Sequence, residues 1–228
     1  MTKILTTGMG ETTSDYLAKT FDPVLAVGAA FLALAAALVW QLRTRRYVTA
    51  VYWLAVVMVS VFGTMAADVL HVVVGIPYAV SASGFGVLLL ALFGLWYKVE
   101  GTLSVHEITG TRRELFYWAA VMTTFALGTA VGDLTAATLG LGYLSSGFLF
   151  AGLILVPALA HRFLRLGPVL SFWWAYVLTR PLGASFADWL GVSKARGGLA
   201  LGTGQVSLAV LLLVIGLVAY LGRRERTA

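Results

Sequence analysis

The chain has 228 residues, 60% of them hydrophobic and only 11% charged, with a mean hydropathy of +0.90. Soluble domains carry about 25% charged residues, and a domain this short cannot hide so much apolar surface, so a soluble globular protein is excluded. The net charge of +6 does not indicate nucleic acid, because the cations cluster between apolar runs as the positive-inside bias and an anionic leaflet require; with no Cys, disulfides and thiolate metal sites are excluded too.

The first residues are polar and contain no apolar core of a signal peptide. Beyond them, stretches of roughly 20 apolar residues each suffice to cross a bilayer as a helix. Seven such spans are expected, at 23–41, 48–74, 78–97, 115–139, 143–160, 168–190 and 206–221. Their connections are short, and none reads as a linker to a second domain. The longest, 98–114, is polar and expected to be solvated. One side of the membrane receives Arg43, Arg45, Arg46, Lys98, Arg112, Arg113, Arg162, Arg165, Arg223, Arg224 and Arg226. The other receives Lys19, Lys194 and Arg196. Eleven against three puts the first side, and with it the C-terminus, in the cytoplasm. Lys3 and Arg180 belong to neither group and fall inside repeat segments.

The chain is internally repetitive, which decides the fold reading. YWLAVVMVSVFGTMAAD ends at Asp68, YWAAVMTTFALGTAVGD at Asp133 and FWWAYVLTRPLGASFAD at Asp188. Each has a Trp fifteen residues before the Asp (Trp53, Trp118, Trp173) and a Gly five before it (Gly63, Gly128, Gly183). MTKILTTGMGETTSD supplies a fourth copy, ending at Asp15 with Gly10 five before. Its Trp position would precede Met1, so the first helix is expected to be short by about two turns. The second and third copies also share a Tyr ten after the Asp, Tyr78 and Tyr143.

Each repeat is thus a motif helix followed by a plain one. The expected fold is an all-α integral membrane protein of four two-helix repeats in parallel topology, with seven full transmembrane helices plus a short N-terminal first-repeat helix. The repeats are expected near 1–46, 47–114, 115–167 and 168–228, in one polytopic domain covering 1–228. The plain helices carry almost no polar side chains and suit lipid. Four motif helices are expected inside and four plain ones outside.

Residues four apart share a helix face. That pairs Glu11 with Asp15, Thr64 with Asp68 and Thr129 with Asp133; the fourth copy has Ala184 and Ser185 there. The motif Gly allows close helix approach. Five acids against Lys3 and Arg180 leave an interior with surplus carboxylate, which attracts cations or holds protons, and intramembrane ionisable groups are functional candidates by default. Oxygen ligands suit hard ions. The expected ion-binding or proton-relay set is Glu11, Asp15, Asp68, Asp133, Asp188, Thr64 and Thr129, with Lys3 and Arg180 tuning charge and Asp68, Asp133, Glu11 and His71 as metal ligands. Against this stands a purely structural role for the Asp set, with Lys3–Glu11 and Arg180–Asp188 as ion pairs, and a satisfied interfacial role for His71. His106 and His161 read as solvated or interfacial. The motif Trp residues read as interfacial anchors. No nucleophile elbow, phosphate-binding glycine loop or HExxH is present, and no enzyme is expected.

KILTTGMGETTSDYLAK, FGTMAADVL, ALGTAVGDLTAATLGLGY, LTRPLGASFADWL and GGLAL resemble, over nearly the whole chain, the bacterial predicted membrane-anchored proteins built from repeats of unknown function (domain of unknown function 347). The resemblance implies four repeats in a bacterial inner membrane and carries no activity of its own.

The expected function is a transporter or exporter of a hard cation, a divalent metal with Mn²⁺ ahead of Mg²⁺ or Ca²⁺. The alternatives are a proton-coupled small-solute transporter and a non-transporting membrane scaffold or stress accessory protein. No cofactor is expected beyond a bound divalent cation. The partners are the lipid bilayer and a cation or proton, with no nucleic acid; assembly into an oligomer is left open.

Overall fold

A computed structural model describes residues 2–44, 46–105, 108 and 110–227, with side chains to residue 224. Arg45, His106 and the Arg226 side chain lie outside the described residues. Among the described residues there are eight helices and no strand: α1 (Thr2–Thr20), α2 (Pro23–Arg43), α3 (Thr49–Val73), α4 (Tyr78–Glu100), α5 (Thr111–Thr138), α6 (Tyr143–Leu164), α7 (Pro168–Gly191) and α8 (Thr203–Thr227).

Local chemistry sets the boundaries. Asp22 caps α2 by accepting from the Val24 and Leu25 amides, and Pro23 at the first helical position has no amide to leave unpaired. α4 follows Pro77 and stops at Gly101, whose φ of 73° few other residues adopt at low cost. Within α6 the regular pattern breaks at Ile154, where Pro157 cannot donate to the Leu153 carbonyl. After Asp68 and again after Asp133 the helix widens into a π turn, Val69–Val73 and Leu134–Thr138, with bonds from Val74 N to Val69 O (3.1 Å) and Leu139 N to Leu134 O (2.9 Å). Such turns favour functional positions.

The odd-numbered helices, which carry the motif, pack in a ring: α1 on α3, α3 on α5, α5 on α7 and α7 on α1. The even helices wrap it, α2 on α3, α4 on α5, α6 on α7 and α8 on α1. Each plain helix therefore covers the motif helix of the next repeat, and the last covers the first. The spans of α5 and α3 are 67% and 44% buried, against 17% to 28% for α2, α4, α6 and α8. This is the expected inner and outer grouping.

Two expectations need correction. Among the described residues six helices, not seven, are long and apolar enough to cross a membrane, because α7 is not among them. Its polar residues, including Arg180, Ser185 and Asp188, are buried inside the ring, so its composition reports the interior and not lipid. The 98–114 connection is also not simply solvated. Leu103, Val105 and Ile108 tuck back onto the aromatic core, and the Leu103 carbonyl accepts from Trp173 Nε1 at 2.9 Å.

Candidate functional site

The ring is built in layers of equivalent residues. Positions sixteen, twelve, eight and four before each Asp follow one another as neighbours one turn apart, in a row that winds slowly around the helix with steps of about 6 Å along the axis. The first layer brings together Tyr52 and Tyr117, whose hydroxyls are 2.6 Å apart. The next holds Lys3 over the Tyr176 ring at 4.1 Å. In the third stand Thr7, Ser60, Phe125 and Arg180. The fourth contains Glu11, Thr64 and Thr129, and the Asp residues close the series.

The motif glycines hold these layers together. A Cβ on Gly10 would overlap Ser60, on Gly63 Phe125, on Gly128 Arg180, and on Gly183 the Ile4 carbonyl and Thr7. Each glycine thus receives the next helix at the residue eight before its Asp, or beside it, and the fourth returns to the first. Only a hydrogen in place of a side chain permits this approach.

Glu11 is buried at 4% exposure, and its Oε2 accepts from Thr129 Oγ1 at 3.0 Å. Thr64 Oγ1 lies 3.2 Å from both Glu11 Oε2 and Thr129 Oγ1 and donates to one of them. These three occupy one register position in repeats one to three. Glu11 lies within the fields of Asp188, Asp68, Asp133 and Asp15. Asp188 is also buried. Ser14 donates to Asp68 Oδ2 at 3.4 Å, and the Tyr78 hydroxyl bonds Asp133. Asp15, half-buried, is paired with Lys19 one turn on.

The structure brings Glu11, Thr64 and Thr129 into contact and sets the four Asp residues near enough for Glu11 to feel their charge. It does not bring Lys3 and Arg180 to their expected partners. Among the described residues no ion pair joins Lys3 to Glu11 or Arg180 to Asp188. Each pair is eight residues apart in register, about 12 Å along the helix. His71 Nδ1 donates to the Ile76 carbonyl (2.7 Å), and the ring stacks on Tyr78 at 3.4 Å between centroids, as a satisfied histidine does. His161 pairs similarly with the Leu166 carbonyl at 2.6 Å. Among the described residues, no three His, Asp or Glu side chains are grouped to hold a metal ion.

The Trp reading is corrected. Trp53, Trp118 and Trp173 are buried in the ring's aromatic core rather than anchored at its rim. Trp118 packs on Tyr52 (5.7 Å) and Trp173 on Trp96 (5.8 Å).

One participant was missed. Arg196, on the short turn Lys194–Arg196, donates to the Tyr143 hydroxyl at 2.9 Å. Burial works against its charge, but Tyr143, Asp15 and Asp188 more than offset that and hold the guanidinium above its ordinary pKa. The available signal was its place eight residues after Asp188, in the loop closing the last repeat onto the first.

Fold and site together define a polytopic helical membrane protein with internal repeats. The chain belongs to the family described as Repeat of Unknown Function (DUF347), whose pattern matches residues 1–47, 51–102, 116–166 and 171–227. No curated protein and no solved structure matches it.

Proposed function

We propose that this protein is a multi-pass transporter of cations in a bacterial inner membrane, with its path through the four-helix ring. The four repeats run in parallel topology about an axis along the membrane normal, with the Asp layer toward the outside and the C-terminus in the cytoplasm. The observation that supports this reading is Glu11: a carboxyl group inside the ring, held by the Thr129 hydroxyl with that of Thr64 beside it, near a layer of four Asp. Such a group is kept neutral in a low-dielectric interior by a proton or a cation. The Asp layer receives the ion, and Glu11 passes it inward as the repeats rock. A divalent ion, with Mn²⁺ ahead of Mg²⁺ and Ca²⁺ as oxygen ligands favour, requires the rocking to draw Asp68 and Asp133 toward Glu11. Protons need no such closure.

The test is flux into proteoliposomes of H⁺, Mn²⁺, Mg²⁺ and Ca²⁺ in turn. Glu11→Gln and the Asp68→Asn, Asp133→Asn pair should remove flux of the transported cation while the protein still elutes as a folded species. Unchanged flux in both variants rules this site out. If no cation moves in the parent and the variants change stability alone, the scaffold reading replaces it. Proton-coupled transport of a small solute stands second, favoured by an open cavity of about 970 Å³ at the other end of the ring, lined by Lys3, Tyr52 and Tyr117.

A further inference from the structure

That cavity and the cation behind it have no role in a cation path. Arg180 is 0% exposed, the only cation among the described residues so placed. Its Nη1 donates to Thr7 Oγ1 at 3.0 Å. Its Nε and Nη2 have no partner. Those two N–H groups point the same way within the guanidinium plane, along one edge, and form the side-on fork that matches two oxygens of a carboxylate or other oxyanion. A buried guanidinium with this fork unused is costly to keep.

The surroundings are complementary to an anion. Arg180 Cζ lies 3.7 Å from the Phe125 centroid and 4.5 Å from that of Tyr176. Lys3 Nζ sits 4.1 Å from the same Tyr176 ring and near enough to Arg180 for the two cations to repel. Lys3 lines the cavity, as do Tyr52, Tyr117 and Phe172, and Tyr52 also lies within the Arg180 field. The Tyr176 hydroxyl stands beside that of Tyr117. Two carboxylates belong to the same region and are already engaged. Glu11 stands one layer beyond Arg180, with its Oε2 taken by the threonines. Glu114, on the cavity wall, accepts from Gln41 Nε2 at 2.9 Å and Trp118 Nε1 at 3.3 Å. Arg46 joins Lys3 as a second cation on the wall.

We propose that Arg180 and Lys3 form a binding site for a small anion, a carboxylate or inorganic oxyanion that enters through this cavity and docks its oxygens on the Arg180 fork, with aromatic rings around its body. The anion would relieve the repulsion between the two cations.

The test is thermal unfolding of the full chain in detergent with sodium acetate, benzoate or phosphate, each against sodium chloride at equal ionic strength. At least one should raise the midpoint in a saturable way, and phosphate against the two carboxylates tells which oxyanion is preferred. Lys3→Gln and Arg180→Gln should each weaken the response at least tenfold in concentration. Where Arg180→Gln does not fold, Lys3→Gln decides. Glu11→Gln should not weaken the response, which separates this site from the cation path. No shift beyond chloride, or a shift that Lys3→Gln leaves unchanged, overturns the proposal.

Discussion

Thr129 donates to Glu11 at 3.0 Å across 118 positions of sequence. The two residues stand at the same register position of different repeats, four before Asp133 and Asp15. A duplicated motif thus meets itself at the axis, and one copy has exchanged a hydroxyl for a carboxyl group. Thr129→Val keeps the volume and removes the donor. Losing a buried hydrogen bond of this kind costs about 1–3 kcal/mol. Thr124→Val is the comparison, because Thr124 bonds only its own helix, at the Val121 carbonyl (2.7 Å). Unfolding midpoints in detergent should fall further for Thr129→Val. Equal losses would contradict the axial layer.

The glycine contacts give a second expectation. Gly128→Ala forces a methyl into Arg180, where the colliding atoms include main chain. Overpacking of this sort costs about 1–3 kcal/mol. Gly94→Ala, on α4 with nothing within 4 Å, should instead stabilise by about 0.5–1 kcal/mol through helix propensity. Thermal midpoints of the two variants should move in opposite directions. A neutral Gly128→Ala would mean that α5 and α7 are further apart than drawn.

Much of this was legible in the sequence. The shared Gly and Asp register named the inner helices, and the four-residue spacing put Glu11, Thr64 and Thr129 on one face. The separation of Lys3 from Glu11, and of Arg180 from Asp188, was also present as arithmetic: eight residues of helix exceed the reach of an ion pair. What periodicity does not carry is contact between distant segments. Trp53, Trp118 and Trp173 occupy positions where a single helix in lipid favours an interfacial ring. Only the arrival of Trp96, Tyr117 and the side chains of Leu103, Val105 and Ile108 buries them. Arg196 was missed for the same reason, since its neighbours Tyr143 and Asp15 lie in other repeats.

Trp173 ties the loop that follows α4 to the ring through the Leu103 carbonyl. Trp173→Phe keeps an aromatic body and loses that donor. The loop should open more often, so limited proteolysis between residues 101 and 110 should be faster than in the parent. The cost in global stability should be about 0.5–1.5 kcal/mol, the net worth of one hydrogen bond. An unchanged cleavage rate would show that Leu103, Val105 and Ile108 hold the loop by apolar contact alone.

Arg196 stands over the Asp layer and, under the proposed cation path, competes with an incoming ion for Asp15 and Asp188. Arg196→Gln retains a donor for Tyr143 and removes the charge. External cation affinity should rise. The gain should be small, below about fivefold, because Arg196 is exposed to solvent and pairs of that kind are worth roughly 0.2–1 kcal/mol. It should also fade near 1 M salt, where the screening length is about 3 Å. Lys194→Gln removes an equally exposed cation from the same turn, but Lys194 has no such contact with Tyr143. Concentration dependence of flux in proteoliposomes, at low and high salt, measures all three. A larger apparent affinity for Arg196→Gln alone assigns the effect to its place over the acids. The same gain from Lys194→Gln assigns it to general surface charge, and a fall in affinity would make Arg196 a support of the Asp layer instead of its competitor.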